Sequence, residues 1–325
     1  MIDNNLINSN TKIFLAGHNG LVGKSIRKKI NSIYNCELIT ADRSELDLRD
    51  QNLVGKFIIE NEINYIVIAA AKVGGINANS SYPAEFMYDN LMIQSNLIHA
   101  AFKNNIKRLL FLGSSCIYPK NINDPIKEED LLTGRLEKTN EAYAIAKIAG
   151  LRMCDFYNKQ YNTSYRSVMP TNLFGEGDNF NEQNGHVIPS LIKRFHDAKK
   201  KNQKEVSVWG SGKPLREFMH VDDMADACLF LMNLSDNRFN SVLPKDFSHI
   251  NIGTGDEISI RELAFLIAKI INYKGNIIFD ESMPDGTKRK LLDNKRILSL
   301  GWKPNISLET GLIRTYEWYT KKHDK

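Results

Sequence analysis

The sequence predicts an α/β fold, a doubly wound parallel sheet with a smaller C-terminal domain interleaved with it. Three observations lead to this prediction. Short apolar runs alternate with longer helical patterns between residues 11 and 115, a glycine turn joins the first strand to the first helix, and the alternation becomes irregular after residue 175. Strands that alternate with helices pair in parallel, because each helix returns the chain across one face of the sheet.

Each element of the regular part follows from its residues. The stretch "TKIFLAGHNGLVGKSIRKKI" combines a buried strand, a glycine turn and an amphipathic helix whose core-facing residues are Leu21, Val22, Ile26 and Ile30. Further strand patterns lie at residues 36 to 43, 63 to 75 and 106 to 115, and a clear helical pattern lies at 90 to 105. These strands are short and apolar, as is typical of strands that helices cover on both faces.

Composition bounds the class of protein. The chain has 325 residues, of which 42% are hydrophobic, enough for one large domain and a smaller one. The N-terminus is polar and no apolar run approaches the ~20 residues of a membrane span, so we expect a cytoplasmic protein that does not enter the membrane. The net charge of +5 is spread among acidic residues, so nucleic-acid binding is not expected. The four cysteines form no C-x-x-C pair, so we expect reduced thiols and no metal site.

A glycine motif follows the first strand. Gly17, Gly20 and Gly23 form G-x-x-G-x-x-G at the turn into the first helix. Glycines let the backbone close on a pyrophosphate, and the helix N-terminus offers free N–H groups to it. A plain turn between strand and helix is the alternative, but the context favours a Rossmann-type dinucleotide site.

The end of the second strand, "ADRSELDL", is where the cofactor would be selected. Asp42 could bind the ribose 2′-hydroxyl of NAD(H), whereas Arg43 could pair the 2′-phosphate of NADP(H) through its planar guanidinium. The two residues point to different cofactors. We favour NADP(H), because Arg43 has no other evident role and the chain carries signs of a reductase.

A tyrosine and a lysine in "EAYAIAKIAG" are one such sign. Tyr143 and Lys147 are four residues apart and therefore share one face of a helix. A tyrosine with a pKa of about 10 donates its proton poorly unless a nearby ammonium stabilises the phenolate. The spacing alone fits an ordinary exposed pair. The preceding dinucleotide motif, and a serine at the end of the fourth strand, favour the catalytic interpretation.

These motifs together resemble the extended short-chain dehydrogenase/reductase family, whose members mostly act on nucleotide sugars. Within it, the stronger similarity is to enzymes that epimerise and reduce GDP-linked 4-keto-6-deoxy sugars. The resemblance covers almost the whole chain, through "GHNGLVG", "AAAKVGG", "LGSSCIYPK", "EAYAIAKIAG", "RSVMPTNLFG", "GHVIPSLIKRFH", "WGSGKPLREFMHVDDMA", "NIGTG" and "PDGTKRKLLD". There are two departures: Asn19 stands where relatives often carry a basic residue, and Ala142 replaces a proline.

The resemblance implies NADPH-dependent 3,5-epimerisation and 4-reduction of GDP-4-keto-6-deoxy-D-mannose to GDP-L-fucose. It assigns Ser114, Tyr143 and Lys147 to the reduction, and Cys116 and His186 to the epimerisation as base and acid. Inversion beside a keto group needs a base on one face of the sugar and an acid on the other. A related GDP-4-keto-6-deoxy sugar such as a heptose, or a non-catalytic dinucleotide-binding role, stays open as an alternative.

Cys116 is the most specific of these residues. A free thiol has a pKa of about 8.5, so a cysteine base needs a nearby positive charge, which a protonated His186 could supply. Related dehydratases carry an Asp-Glu pair at this point, and "SSCIY" lacks both carboxylates. The alternative for a lone cysteine is a small buried apolar residue, and that interpretation is kept for Cys36, Cys154 and Cys228.

The resemblance also implies the binding residues. For NADP(H) they are Gly17, Gly20, Leu21, Val22, Gly23, Arg43, Leu112, Gly113, Ser115, Lys147, Pro170, Asn172, Leu173 and His186. For the GDP-sugar they are Arg194, Trp209, Arg216 and Asp285. Arginine suits a diphosphate because its donors form a fixed fork, and tryptophan can stack on a guanine. The helices near 90 to 105 and 143 to 158 are expected to pair in a homodimer.

The change of pattern at residue 175 sets the predicted domains. An NADP(H)-binding domain comprises residues 1 to 174, and residues 217 to 252 return to it. A substrate-binding domain comprises residues 175 to 216 and 253 to 325. In this interpretation "EFMHVDDMADACLFLM" forms a strand and a helix that both return to the main sheet.

Overall fold

The computed structural model describes residues 6–122, 125–181, 185–283 and 285–323. Its strands are β1 (Lys12–Ala16), β2 (Glu37–Ile39), β3 (Tyr65–Ile68), β4 (Arg108–Leu112), β5 (Ser164–Pro170), β6 (Asn172–Phe174), β7 (Glu205–Trp209), β8 (Leu215–His220), β9 (His249–Ile252), β10 (Glu257–Ser259), β11 (Asn276–Asp280) and β12 (Arg289–Lys290). Its helices are α1 (Leu21–Ile33), α2 (Gln51–Glu60), α3 (Ile76–Ser81), α4 (Pro83–Lys103), α5 (Glu141–Tyr161), α6 (Val187–Lys200), α7 (Val221–Met232), α8 (Asp236–Asn240), α9 (Ile260–Ile271), α10 (Lys295–Ser299) and α11 (Leu308–His323). Short 3-10 turns lie at Ser115–Ile117, Glu128–Asp130 and Lys138–Asn140.

The main sheet has six parallel strands in the order β2-β1-β3-β4-β5-β9. The chain passes from β1 to β2 on one side and then places β3 on the other side of β1, so the strand order reverses there. In open α/β sheets, ligands bind at such a reversal, outside the carboxyl ends of the strands. The predicted α/β fold with a doubly wound parallel sheet is confirmed.

Helices cover both faces of the main sheet with apolar side chains. On one face, Ile26 and Ile30 of α1 pack in a core that α7 and α10 complete. On the other face, α2, α4 and α5 supply the core, with residues such as Val54, Leu97 and Leu151. Among the described residues, no helix combines the length and the apolar composition that a membrane crossing requires.

The strands are shorter than the apolar patterns from which they were predicted. β2 occupies only three residues of the predicted span from 36 to 43. It is an edge strand, paired with β1 alone. Beyond Ile39 the chain turns, and the Asp42 carbonyl accepts the N–H groups of Glu45 and Leu46. A turn of this kind is set by local hydrogen bonds, which an apolar pattern does not report.

The remaining strands form two smaller sheets. We call one of them the β8 sheet: β8 pairs with β10, β12 and β6. The other contains β7 and β11 in parallel. Together with α6, α9 and α11 they enclose a third apolar core.

One part of the predicted connection between the sheets is wrong. Of the segment 217 to 252, α7 packs on α1 and β9 joins the main sheet beside β5, as expected. β8 instead lies in the β8 sheet. An apolar run predicts that a strand is buried, but it does not indicate which sheet the strand joins. The domain boundaries themselves stay a prediction.

Candidate active site

The turn between β1 and α1 is too tight for side chains at two of its glycines. Gly17 has a φ of 87°, and a Cβ there would lie 2.5 Å from the backbone nitrogen of Ala70. A Cβ at Gly23 would lie 2.1 Å from the Gly17 carbonyl oxygen. The turn leads into α1, where Leu21 and Val22 have no intrahelical acceptors for their N–H groups. This cradle of close backbone and free N–H groups fits a pyrophosphate.

Polar side chains meet at the turn that follows β2. Asn19 Nδ2 donates to Asp42 Oδ1 over 2.6 Å, and His18 Nε2 lies 3.4 Å from the same oxygen. Asp42 is therefore engaged by two side chains of the glycine turn. Arg43, beside it, is exposed. This arrangement favours Arg43 over Asp42 as the side chain that meets the cofactor ribose.

Three predicted catalytic residues meet at the carboxyl end of β4. Ser114 caps the 3-10 turn that follows β4, and its Oγ accepts the N–H of Cys116 over 3.2 Å. Tyr143 and Lys147 lie one turn apart on α5, and Ser114 is near enough to Tyr143 to lower its pKa. Lys147 Nζ donates to the carbonyl of Leu112 over 2.8 Å and lies 5.9 Å from the centre of the Tyr143 ring. The structure thus brings Ser114, Tyr143 and Lys147 together.

Burial controls the protonation of the Tyr-Lys pair. Burial raises the pKa of Tyr143, and a charge on Cys116 adds to this, whereas the hydrogen bond with Ser114 lowers it. Burial also lowers the pKa of Lys147 to about 7. Burial, Cys116 and Ser114 account for the shift in the pKa of Tyr143, so the role of Lys147 in lowering that pKa stays a prediction. Tyr143 stays protonated at neutral pH, as a proton donor must be.

Cys116 lies in the same turn, with a cation beside its thiol. Lys290 Nζ is 3.6 Å from Cys116 Sγ, although the two residues are 174 positions apart in the chain. The sequence predicts that His186 supplies this charge, but none of the described hydrogen bonds or ion pairs joins His186 to Cys116. Sequence reasoning missed Lys290. It lies in the quoted stretch "PDGTKRKLLD", where nothing local indicates which charged residue reaches the thiol.

The other three cysteines are packed differently from Cys116. Cys154 and Cys228 are buried in the two cores of the main sheet, and Cys36 is half-buried at the edge of one of them. Burial raises the pKa of all three thiols, that of Cys154 to about 12. A thiol of this kind is a poor base and a poor nucleophile at neutral pH.

His186 lies at the start of α6 and is exposed. Asp178, in the loop before it, is partly buried, and its Oδ2 has no hydrogen-bond partner among the described residues. Burial raises the pKa of Asp178 to about 6, and the neighbouring His186 opposes this rise. Asp178 is thus an acidic group near His186. Residues 182–184, which lie between the two, are outside the described residues. The role of His186 stays a prediction.

The other predicted cofactor residues follow the carboxyl ends of neighbouring strands. Leu112 ends β4, and Gly113 and Ser115 follow it; Pro170 ends β5, and Asn172 and Leu173 begin β6. A Cβ at Gly113 would lie 2.3 Å from the sulfur of Met169. Because β1, β4 and β5 are parallel, these residues share the edge of the sheet that carries the glycine turn. Their contacts with a cofactor stay predictions.

Three of the four predicted substrate residues cluster beside β7. The Arg194 guanidinium lies 5.7 Å from the Trp209 ring centre and donates to the carbonyl of Ser207 over 2.7 Å. Asp285 accepts the N–H and the hydroxyl of Ser211 over 2.9 and 2.7 Å. Trp209 is 54% exposed, so its ring is available for stacking.

The fourth, Arg216, lies on β8 beside this cluster. Its Nη1 donates to the carbonyls of Leu215 and Thr287 over 2.8 and 2.5 Å. Burial lowers the pKa of Arg216, and the charge of Asp285 opposes this. Arg216 is also the register partner of Lys290 on β12. The predicted substrate residues and the cation beside the thiol therefore lie on paired strands.

Glu176, His220 and Asp222 have possible metal-ligand atoms within 4.8 Å of one another. Arg314 Nη2 lies 3.0 Å from a Glu176 oxygen and 2.5 Å from an Asp222 oxygen. The guanidinium thus already supplies the positive charge that a metal ion would bring to these carboxylates. That the protein uses no metal stays a prediction.

Comparison with known proteins relates this geometry to a family. Residues 13–253 match the model of the "NAD dependent epimerase/dehydratase family". The chain is 53% identical over 317 residues to the GDP-L-fucose synthase of Escherichia coli (strain K12), which covers 98% of this chain and 99% of that protein.

Solved structures give the same picture. A GDP-6-OMe-4-keto-L-xylo-heptose reductase from C. jejuni superposes with a TM-score of 0.91 at 37% identity, covering 98% of this chain and 99% of that one. A GDP-L-fucose synthetase from Naegleria fowleri bound to NADP superposes with a TM-score of 0.87 at 27% identity, covering 99% of this chain and 98% of that one. The similarity therefore extends over the main sheet and the β8 sheet alike.

Proposed function

The chain belongs to the NAD dependent epimerase/dehydratase family, and on this basis we propose that it is an NADPH-dependent epimerase and reductase of a GDP-sugar. Its substrate is GDP-4-keto-6-deoxy-D-mannose, which it inverts at C3 and C5 and reduces at C4 to give GDP-L-fucose. One observation carries the proposal: the turn after β4 presents a serine near a tyrosine and, two residues on, a thiol 3.6 Å from an ammonium. The first pair suits reduction and the second suits proton transfer at carbon.

Epimerisation uses the acidity that the C4 keto group gives to C3–H and C5–H. Cys116, as the thiolate, removes one of these protons, and the electron pair left on carbon moves into the carbonyl. Ser114 donates a hydrogen bond to the oxygen and stabilises its charge. His186 then returns a proton on the opposite face, so the centre is inverted. Cys116 must lose its proton to solvent, and His186 must regain one, before the next inversion.

Reduction uses the same carbonyl oxygen. When bound, the nicotinamide supplies the hydride to C4. Tyr143 donates its phenolic proton to the oxygen, which Ser114 holds in place. Tyr143 holds this proton at neutral pH, because burial raises its pKa. Lys147 binds the nicotinamide ribose, and its ammonium stabilises the phenolate that forms on Tyr143.

The cofactor is NADP(H), held along the carboxyl edge of the main sheet. The cradle at Gly17 and Gly23 binds the pyrophosphate. Because Asn19 and His18 engage the Asp42 carboxylate, Arg43 is the side chain that pairs the 2′-phosphate through its planar fork. The N. fowleri relative, which was solved with NADP bound, supports NADP(H) as the cofactor.

The GDP moiety binds at the cluster beside β7. Arg194 and Arg216 pair the diphosphate, since each guanidinium presents parallel donors to phosphate oxygens. The exposed ring of Trp209 stacks on the guanine. Asp285 holds the loop after Trp209 in place through its two hydrogen bonds to Ser211.

A related GDP-4-keto-6-deoxy sugar, such as a heptose, is the second candidate substrate. The fold similarity to the C. jejuni heptose reductase favours it. The hexose takes priority because the E. coli GDP-L-fucose synthase is more similar in sequence over nearly the whole chain.

Product analysis in deuterated water tests the proposal. The enzyme is supplied with GDP-4-keto-6-deoxy-D-mannose and NADPH, and the product is examined by NMR. We expect GDP-L-fucose with deuterium at C3 and C5, because both carbons take a proton from solvent. GDP-rhamnose without deuterium would show reduction alone and contradict the proposal. Turnover of the heptose substrate only would favour the second candidate.

The enzyme is a cytoplasmic homodimer in this proposal. The four cysteines are free thiols, which suits a reducing compartment. The neighbouring helices α4 and α5 expose large apolar side chains, among them Tyr88 and Phe156 at 60% and 54%. Pairing with a second copy through these helices would cover them. Light scattering is expected to give twice the mass of the chain, and the monomer mass would contradict the dimer.

A further inference from the structure

We propose that Lys290 is the residue that keeps Cys116 in the thiolate form. A lysine of the β8 sheet would thus stabilise the negative charge of the base that epimerises the sugar. This inference rests on the proposed function, because it assigns how the base of that reaction becomes active. Lys290 acts through Cys116 and is therefore a positioning residue.

The charge of Lys290 is available to the thiol. Lys290 is half-buried, and its neighbour on β12, Arg289, is paired with Glu257 over 2.8 Å. Successive residues of a strand point to opposite faces, so Lys290 points away from that ion pair. Within the described residues, no carboxylate lies at ion-pair distance from Lys290. Its ammonium lies 3.6 Å from Cys116 Sγ.

The backbone after Lys290 is fixed beside the loop that follows Cys116. Ile126 N donates to the Leu291 carbonyl over 2.8 Å, and Asp293 N donates to the Ile126 carbonyl over 2.8 Å. Leu292 N donates to the carboxylate of Glu217, a fully buried residue, over 3.1 Å. Lys290 is thus held at the thiol by its own strand, in contrast to a mobile surface lysine.

The chemical consequence follows from the short distance. An ammonium within about 4 Å of an ionisable group favours the charged form of an acid. The Cys116 thiolate can then accept a proton from C3 or C5 of the sugar and become a thiol. When that proton passes to solvent, Lys290 favours return to the thiolate. Because Lys290 pairs in register with Arg216, the strand that holds the substrate diphosphate also fixes the cation at the base.

The test measures the reactivity of Cys116 without any turnover. The folded enzyme is treated with iodoacetamide, an uncharged reagent that reacts with thiolates, and the modified peptide is quantified by mass spectrometry from pH 6 to pH 10. In Lys290→Met we expect Cys116 to react about tenfold more slowly at pH 7, with its rate profile displaced to higher pH. Lys290→Arg, which keeps the charge, should react within about threefold of the unchanged enzyme.

Matched controls separate charge from folding. Lys288→Met removes an exposed lysine of the same segment and should leave the profile unchanged. If Lys290→Met does not fold, Lys290→Gln removes the same charge while keeping a polar end. An alkylation profile in Lys290→Met equal to that of the unchanged enzyme overturns the inference, even if GDP-L-fucose is still formed. Slower alkylation in an enzyme that turns over no GDP-sugar would support Lys290 and contradict the proposed function.

The link to catalysis has its own readout. Solvent deuterium exchange at C3 and C5 of the keto sugar should fall in Lys290→Met in proportion to the alkylation rate, and Lys290→Arg should restore both. Exchange that stays at the unchanged level while alkylation slows would overturn the role of Lys290 in epimerisation.

Discussion

The residues that we propose for reduction and those that we propose for epimerisation are assembled in different ways. Ser114, Tyr143 and Lys147 come from the end of β4 and from α5, both of which belong to the main sheet and its covering helices. Cys116 shares the turn with Ser114, but its cation arrives from β12, 174 positions away. In the proposed mechanism, epimerisation therefore depends on contact between the main sheet and the β8 sheet, whereas reduction depends on the main sheet alone. The two should respond separately to substitution.

The largest effect is expected from Tyr143→Phe. Loss of the proton donor should lower NADPH oxidation by about 10²- to 10⁴-fold, because that is the usual contribution of general acid catalysis. NADPH binding, measured by fluorescence titration, should stay within about twofold, since the phenol is not a binding group. Tyr161→Phe, on the same helix and away from the site, is the control. Reduction at more than a tenth of the normal rate in Tyr143→Phe would remove Tyr143 from the donor role.

A smaller effect is expected from Arg43→Ala. Loss of a charge-assisted pair with the 2′-phosphate should lower kcat/KM for NADPH relative to NADH by about 10- to 100-fold. Deuterium exchange into the keto sugar should not change, because Arg43 lies in the turn after β2 and not at the thiol site. Arg135→Ala removes another exposed arginine as the control. An unchanged preference would show that the cofactor is not selected by Arg43.

The smallest effect is expected on stability, from Lys147→Met. The unfolded lysine holds its proton up to a pKa near 10.5, whereas burial lowers the folded pKa to about 7. The unfolded state therefore binds more protons between these values, and the stability of the unchanged enzyme rises as the pH increases from 7 toward 10.5. Lys147→Met lacks this dependence.

We therefore expect Lys147→Met to melt about 3 °C higher than the unchanged enzyme at pH 6, with the difference shrinking toward pH 10. The lost hydrogen bond to Leu112 offsets part of the gain. Differential scanning calorimetry at several pH values is the measurement, with the exposed Lys159→Met as the control. A difference that does not vary with pH would mean that Lys147 is charged in the folded protein.

The main sheet was largely predictable because its signals are local. Apolar runs, the glycine turn and the spacing of Tyr143 and Lys147 each lie within a few residues. These signals led to the resemblance to a family of nucleotide-sugar enzymes, and that resemblance is confirmed. The same locality explains the error at β8. Whether an apolar strand joins one sheet or another depends on partners such as β10 and β12, which lie far along the chain.

The candidate site shows the same limit in its chemistry. The sequence indicates that Cys116 needs a cation, but it does not identify Lys290, whose position depends on the backbone contact between Ile126 and Leu292. The rise in the pKa of Tyr143 likewise could not be predicted from the sequence, since it depends on how deeply α5 is buried. Residues that act within one element can be predicted from spacing, and residues that act between elements require the tertiary structure.

A crossed pair of variants tests most directly whether the two chemistries are separable. Cys116→Ser and Tyr143→Phe are each supplied with GDP-4-keto-6-deoxy-D-mannose and NADPH in deuterated water, and NMR follows deuterium at C3 and C5 together with reduction at C4. We expect Tyr143→Phe to exchange both positions without reducing the sugar. We expect Cys116→Ser to reduce the sugar without exchange. Loss of both activities in both variants would contradict a site in which reduction and epimerisation use different residues.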